Sequence, residues 1–165
     1  MLPPPLAVRL VPDFVPDPAS LWEQATSELL WDDRIRARRT ASVGIAYNYS
    51  GIWYPDVPMP DFISTLATRV AALVAHPITN CLANFYPTGE SKMGFHADAA
   101  EGIVPGTSTS ILSLGARRPL VFKPKSGGDA RPEFALDPGS LLIMDASVQD
   151  HWLHALPPSR ARVHA

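Results

Sequence analysis

The feature that most constrains the fold is a series of short apolar runs after His76-Pro77. Each run is shorter than ten residues and is followed by Gly, Pro, Asp or a Lys-Ser-Gly-Gly turn. Runs of this kind are typical of β-strands, and many in succession indicate a sandwich or barrel of strands. The runs are "ITNCLANFY", "GFHAD", "STSILSLG", "PLVFKP", "EFALD", "SLLIMD" and "HWLHAL".

Two segments before these runs have the apolar spacing of helices. Asp17 is a suitable N-cap and Pro18 suits a first turn, so a helix is predicted from there to about Trp31. A second helix is predicted over Pro60–Ala75. The apolar residues that these two helices should bury are Leu21, Ala25, Leu29 and Leu30 in the first, and Phe62, Ile63, Leu66, Val70, Leu73 and Val74 in the second.

Two further strands are predicted in the first half of the chain. Leu6–Phe14 has the composition of an edge strand, because Pro12 interrupts it. Ala41–Gly51 is predicted to be a strand that ends in a turn. We therefore expect residues 1–165 to form a single α+β domain with two helices flanking the strands.

Composition restricts the class of protein further. The chain is 46% hydrophobic, which is enough to build a core, and its net charge of −2 gives no overall basic footprint for nucleic acid. Its single cysteine, Cys81, cannot form an internal disulfide, so we expect a reducing compartment. No signal peptide and no span long enough for a bilayer is apparent. We expect a cytoplasmic monomer without membrane association.

The most informative polar residues are His96 and Asp98 in "GFHAD" and His154 in "HWLHALP". On a strand, residues i and i+2 point to the same face, so His96 and Asp98 can share one metal ion. Two histidines and one carboxylate suit non-haem Fe(II), although zinc stays possible. The alternative is that His96 and Asp98 are solvated residues on a strand edge.

A second polar pair, Asn84 and Tyr86, lies on one face of the predicted strand that begins at Thr79. The pair has the pattern of a polar wall inside a barrel. A face that simply meets water gives the same pattern, so the residues alone leave both interpretations open.

The order of these motifs resembles the AlkB family of Fe(II)/2-oxoglutarate dioxygenases, which oxidatively remove alkyl groups from nucleic-acid bases. The similarity rests on Asn84-x-Tyr86, "GFHAD", "ILSLGARRPLVFK", "DPGSLLIMD" and "HWLHALP", and upstream on "RRTASVGIAYNYSG". It implies a double-stranded β-helix, or jelly-roll, core that uses Fe(II), 2-oxoglutarate and O2. Alkylated DNA or RNA is the implied substrate.

The resemblance also implies roles for individual residues. His96, Asp98 and His154 match the iron ligands, and Asn84 and Tyr86 match the pair that binds 2-oxoglutarate. Tyr49 falls where the family stacks an aromatic ring on a flipped base, and Tyr47 and Ser50 would line the same pocket. Tyr47 and Tyr49 would otherwise be ordinary alternating strand residues.

Two features depart from the family pattern. Where the family has an acidic residue two positions after the metal aspartate, this chain has Ala100, with Glu101 beside it. The family's final strand, which carries two arginines, is expected to be missing after "PPSRARVHA". Arg160 and Arg162 are expected in the loop before such a strand. Arg117 and Arg118 are the nearest alternatives for holding the distal carboxylate of 2-oxoglutarate.

Two basic runs are candidates for phosphate contact, although solvated surface faces would have the same composition. They are Arg34, Arg36, Arg38 and Arg39, of which Arg38 and Arg39 are assigned to substrate binding, and Arg117, Arg118, Lys123 and Lys125.

Three functional hypotheses remain open from the sequence. The leading one is an AlkB-like dioxygenase that demethylates N-alkylated bases in DNA or RNA. The second is a hydroxylase of the same fold that acts on a small metabolite, a lipid or a protein side chain, which Ala100 and the negative net charge favour. The third is a non-catalytic metal-binding protein that has lost the arginine strand.

Overall fold

The computed structural model describes residues 4–49, 51–98 and 103–159. Antiparallel strands dominate this part of the chain. The elements, in chain order, are β1 (Val8–Val11), α1 (Pro18–Glu28), β2 (Arg39–Gly44), β3 (Tyr47–Tyr49), β4 (Ile52–Tyr54), α2 (Asp61–Val74), β5 (Asn80–Phe85), β6 (Met93–His96), β7 (Thr109–Leu112), β8 (Arg118–Pro124), β9 (Glu133–Leu136), β10 (Leu141–Met144), α3 (Ala146–His151) and β11 (Trp152–Leu156).

Two sheets form the centre of the fold. One has the strand order β6-β11-β8-β9 and the other β1-β10-β7. Leu120 and Phe122 of the first sheet share a buried apolar cluster with Leu142 and Met144 of the second, so the sheets pack face to face. Burial of such side chains is the main force that holds two sheets together. The predicted jelly-roll core is confirmed.

The backbone conformation at Gly44 divides one predicted strand into two observed strands. The predicted segment Ala41–Gly51 divides into β2, which pairs with β5, and β3, which forms a hairpin with β4. Gly44 has a φ of 99°, and a Cβ atom there would lie 2.2 Å from the carbonyl oxygen of Thr79. Only glycine fits this close approach, and the chain turns out of the β2–β5 pair at this point.

The two predicted helices cover the outer faces of these strands. In α1 the side chain of Asp17 accepts a hydrogen bond from the Ser20 amide, which confirms the predicted N-cap. Ala25 of α1 and Ile63 of α2 share a buried cluster with Ala41 and Val43 of β2.

Two residues expected on the buried helix faces are exposed instead. The helix α1 ends at Glu28 rather than near Trp31, so Leu30 lies beyond it and is 86% exposed. Leu73 in the last turn of α2 is 40% exposed, because it lies beside the packed face of that helix, which includes Ile63 and Val70. Both expectations were wrong at helix ends, where apolar spacing is least informative.

Three remaining features bear on the earlier expectations. The short helix α3 was not predicted, because six residues are too few to reveal helical spacing.

No helix in the described ranges is both long and apolar enough for a membrane span. Residues 160–165, to which the expectation of a missing final strand refers, lie outside the described residues.

Candidate metal centre and adjoining pocket

The two histidines of the predicted metal site face each other across a pair of strands. His96 is the last residue of β6, and its partner in the antiparallel register is His154 on β11. Side chains of opposed residues lie on the same face of a sheet within contact distance. The two imidazole rings accordingly have centroids 4.3 Å apart.

Asp98 completes a cluster of three potential ligands. Its Oδ1 atom lies 3.6 Å from Nε2 of His96 and 3.6 Å from Nε2 of His154. One ligand atom from each of the three residues lies within 4.8 Å of the others, close enough to bind one ion. His154 is only 2% exposed, so the cluster opens to solvent mainly on the side of His96 and Asp98.

The hydrogen bond of His96 fits a metal-binding role. Nδ1 of His96 lies 2.9 Å from the Gly94 carbonyl oxygen. The tautomer with hydrogen on Nδ1 donates to that oxygen and leaves the Nε2 lone pair directed at the cluster. Nδ1 of His154 is buried without a hydrogen-bond partner among the described residues. His154 therefore lacks the second-nitrogen hydrogen bond that metal-ligating histidines usually make, and the fit to a divalent metal such as Fe(II) rests on the ligand types and on the His96 tautomer.

The electrostatic environment also sets the protonation states of the three potential ligands. Burial lowers the pKa of His154 to about 4, with a further contribution from His96, against the opposing charge of Asp98. Burial acts to lower the pKa of His96 as well, but hydrogen bonds with Asp98 and Gly94 outweigh it and raise the pKa. Burial acts to raise the pKa of Asp98, and its partners outweigh this effect and lower it. At neutral pH, His154 is thus neutral and Asp98 ionised.

Asp98 has a hydrogen-bond partner that sequence analysis missed. Gln149 on α3 donates from Nε2 to Oδ2 of Asp98 at 2.7 Å and accepts at Oε1 from the Asp98 amide at 2.8 Å. The two residues are 51 positions apart. No local pattern in the sequence singles out Gln149.

A buried network of polar side chains includes the two residues predicted to bind 2-oxoglutarate. Arg38 is 8% exposed and donates from Nε to Oδ1 of Asn84 at 2.7 Å and from Nη2 to the hydroxyl of Tyr49 at 2.6 Å. The hydroxyls of Tyr49 and Tyr86 both approach Sδ of Met93, at 3.4 and 3.6 Å. Burial raises the pKa of Tyr86 to about 12, so its hydroxyl remains a donor at neutral pH.

The predicted base-binding tyrosines lie next to this network. Tyr47 stacks beside Tyr49, with ring centroids 6.2 Å apart and planes 22° from parallel. Burial raises the pKa of Tyr47, and the negative charge of Asp98 raises it further. Ser50, predicted to line the same pocket, lies outside the described residues, as do Ala100 and Glu101.

The structure alters the expectation for the first basic run. Arg38 is buried in the network and so does not belong to an exposed phosphate-binding surface. Arg39 is exposed, but its Nε atom pairs with Oδ1 of Asp33 at 2.7 Å, and Arg34 pairs with Asp32. The candidate phosphate-contact run over Arg34–Arg39 is thus interrupted: Arg38 is buried, and the acidic residues Asp32 and Asp33 pair with Arg34 and Arg39.

The second basic run is also divided. Arg117 pairs with Asp137 at 3.1 Å, whereas Arg118 is buried and donates from Nη2 to the carbonyl oxygens of Ser91 and Pro157. Nζ of Lys123 lies 4.4 Å from the centre of the Phe95 ring. These residues hold loops and strand ends together as much as they present positive charge.

Comparison with known proteins accounts for this arrangement. Residues 24–165 match the family model described as the 2OG-Fe(II) oxygenase superfamily. The chain belongs to this superfamily. Fe(II), 2-oxoglutarate and O2 are the cofactor and co-substrates of its members, and His96, Asp98 and His154 form a group that could hold a metal ion.

Curated relatives support the more specific resemblance to AlkB. The DNA oxidative demethylase ALKBH2 of Mus musculus is 28% identical over 135 residues, which are 77% of this chain and 56% of that protein. The alpha-ketoglutarate-dependent dioxygenase alkB homolog 3 of Mus musculus is 29% identical over 171 residues, covering 91% and 60%. The AlkB resemblance is confirmed. The chain spans less than two thirds of the length of these relatives.

A solved structure gives the same result for the fold. The structure of OsALKBH1 superposes with a TM-score of 0.66 at 15% identity, covering 97% of this chain and 87% of that one. At 15% identity, this similarity supports the jelly-roll fold alone.

Proposed function

We propose that this oxygenase is an Fe(II)- and 2-oxoglutarate-dependent dioxygenase that demethylates N-alkylated bases of DNA or RNA. The observation that carries the proposal is the convergence of His96, Asp98 and His154 within 4.8 Å. Tyr47 and Tyr49, the residues of the proposed base-binding surface, stack on each other with ring centroids 6.2 Å apart.

The bound Fe(II), 2-oxoglutarate and O2 would together supply oxidation of a C–H bond, with release of succinate and carbon dioxide, and formaldehyde would leave from an oxidised N-methyl group. The protein's contribution is to bind, orient and shield the reactants. Two imidazoles and one carboxylate are the protein ligands of this class, and they leave open positions for the co-substrates.

Asn84 and Tyr86 are the proposed 2-oxoglutarate contacts. Arg38 donates to Oδ1 of Asn84, which fixes the amide so that its NH2 group is the donor available to a carboxylate oxygen. The Tyr86 hydroxyl donates to the sulfur of Met93, a weak acceptor. Exchange of that sulfur for a carboxylate oxygen would strengthen the hydrogen bond, which favours co-substrate binding.

The tyrosine pair is the proposed surface for the base. Stacking on an aromatic ring contributes about 1–3 kcal/mol per base in single-strand binding. Tyr49 is 9% exposed and is flanked by the Arg38 guanidinium, 5.5 Å from its ring centre, and by Tyr47. The family resemblance implied that Tyr49 stacks on the base, but its ring is almost fully buried, so we propose that the half-buried ring of Tyr47 meets the base and that Tyr49 packs against Tyr47.

One observation favours a second candidate function, hydroxylation of a small metabolite, a lipid or a protein side chain. Arginines expected to contact phosphates are paired with aspartates in the structure: Arg34 with Asp32, Arg39 with Asp33, and Arg117 with Asp137. Such pairing reduces the positive potential that drives nucleic-acid binding.

The test is release of formaldehyde and succinate from methylated oligonucleotides in the presence of Fe(II) and 2-oxoglutarate. Single-stranded and duplex DNA and RNA should be compared, with the same unmethylated oligonucleotides and the Asp98→Ala variant as controls. The proposal predicts equal amounts of the two products, only with methylated substrate.

Two outcomes would reject base demethylation. Succinate release that no nucleic acid stimulates would select the small-substrate hydroxylase. Metal binding without measurable 2-oxoglutarate affinity or product would select a non-catalytic metal-binding protein.

A further inference from the structure

We propose that Gln149 is a positioning residue that makes Asp98 bind the metal through one oxygen only. The inference rests on the proposed function, since it assumes that the cluster of His96, Asp98 and His154 binds Fe(II). The Gln149 amide donates to Oδ2 of Asp98 at 2.7 Å. The other carboxylate oxygen, Oδ1, faces both histidines at 3.6 Å.

The separation of the two carboxylate oxygens matters for the number of open metal positions. A carboxylate with both oxygens free binds metal ions through either one oxygen or two. A second oxygen from Asp98 would occupy a position that 2-oxoglutarate and O2 need. A hydrogen bond from an amide N–H to Oδ2 opposes this second contact, because it occupies one of the two lone pairs of that oxygen and holds the carboxylate turned toward Gln149.

Gln149 also fixes the backbone at Asp98. The strand β6 ends at His96, so strand pairing holds that histidine but not the residue two positions further on. The Asp98 amide donates instead to Oε1 of Gln149 at 2.8 Å. The side-chain amide thus takes the place of a neighbouring strand and secures both the backbone and the carboxylate of one ligand.

The helix that carries Gln149 is itself well anchored. Its neighbour Val148 is 1% exposed in the main apolar cluster. Nζ of Lys125 donates to the Gln149 carbonyl oxygen at 2.7 Å, and the Lys125 amide donates to the His151 carbonyl oxygen at 2.9 Å. The helix α3 continues directly into β11, so one segment positions both Gln149 and His154.

The experiment replaces Gln149 with residues that cannot make both hydrogen bonds. Gln149→Met keeps the approximate length without either hydrogen bond, and Gln149→Asn keeps an amide that is too short to span the distance. Gln24→Met is the matched control, because among the described residues the Gln24 side chain bonds only to Glu28, on the exposed side of α1. Mn(II) affinity of the metal-free protein is measured by titration, and Co(II) absorption reports the coordination of the bound ion.

We expect both Gln149 variants to bind Mn(II) about 10–100-fold more weakly than the wild type, the usual cost of losing an outer hydrogen bond to a ligand. Their Co(II) absorption should differ in position and intensity, because Asp98 then binds through both oxygens. A residue that only stabilised the fold would change the amount of folded protein and not the spectrum. Gln24→Met should match the wild type in both measurements.

The opposite results separate two failures. An unchanged Co(II) spectrum, with Mn(II) affinity within about twofold of wild type in whichever Gln149 variant folds, would overturn the role of Gln149 alone. Absence of Mn(II) and Co(II) binding by the wild type would overturn the metal centre, and the proposed function with it.

Discussion

Arg38→Lys should destabilise the protein far more than the same change at the neighbouring Arg39. The guanidinium of Arg38 contacts Asn84 through Nε and Tyr49 through Nη2, at 2.7 and 2.6 Å, and its side chain is 8% exposed. A lysine has a single ammonium group, so it cannot reproduce two contacts made by separate nitrogens of a planar fork.

The magnitude follows from the number of bonds lost. A hydrogen bond to a charged group contributes about 1.5–3 kcal/mol, so losing one of the two should lower the free energy of unfolding by that amount. For a chain of this size the corresponding fall in Tm is about 3–12 °C. Arg39→Lys should cost about 0–1 kcal/mol, because its ion pair with Asp33 joins side chains that are 40% and 72% exposed.

Urea unfolding followed by tryptophan fluorescence measures both variants, and calorimetric titration with 2-oxoglutarate measures the effect on the site. Arg38→Lys should also weaken 2-oxoglutarate binding, because Asn84 loses the partner that orients its amide. If Arg38→Lys unfolds within about 0.5 kcal/mol of Arg39→Lys, the buried network does not hold the site together and the reasoning fails.

Three further predictions concern the metal, the core and the thiol. Mn(II) at about 100 times its Kd should stabilise the protein by about 2.7 kcal/mol in thermal melts, and an equal shift in Asp98→Ala would contradict the site. Phe122→Ala should cost about 3–5 kcal/mol in urea, since the ring is fully buried, and a cost below about 1 kcal/mol would refute it. Burial raises the pKa of Cys81 from 9.0 to about 11, so the thiol of the unfolded chain ionises first as the pH rises. The free energy of unfolding is therefore unaffected by this group below pH 9 and falls by about 2–3 kcal/mol between pH 9 and pH 11. Urea unfolding of Cys81→Ala across that range should lack this loss; an identical loss would assign it to other groups.

Features of the fold set by local periodicity were predictable from the sequence. The cap at Asp17 marked the first helix, and apolar spacing placed the second at Pro60–Ala75, against an observed Asp61–Val74. The H-x-D spacing placed His96 and Asp98 together, His154 on another predicted strand was the candidate third ligand, and the AlkB resemblance implied the same three residues. The structure brings all three together. Their role as iron ligands in this chain stays a prediction.

Features set by contacts between distant segments were not predictable. The run Arg34–Arg39 was a candidate for phosphate contact or a solvated surface face, yet Arg38 turns inward to Asn84, 46 residues away. Neighbouring residues at the start of a strand point to opposite faces, so Arg38 and Arg39 cannot both face solvent alongside β2. The sequence contains that alternation, but which of the two turns inward depends on the pocket that receives it.

The same distinction explains why one ligand of the metal cluster needs more support than the other two. His96 and His154 are register partners, so the strand pair itself brings their rings to within 4.3 Å. Asp98 lies beyond the end of β6 and is held by Gln149, a residue that belongs to a helix 51 positions later. The pairing of β6 with β11 therefore sets the positions of both histidines. The position of the carboxylate requires in addition that the α3 segment pack correctly. Changes that loosen α3 should consequently disturb the metal centre through Asp98 before they disturb the spacing of the histidines.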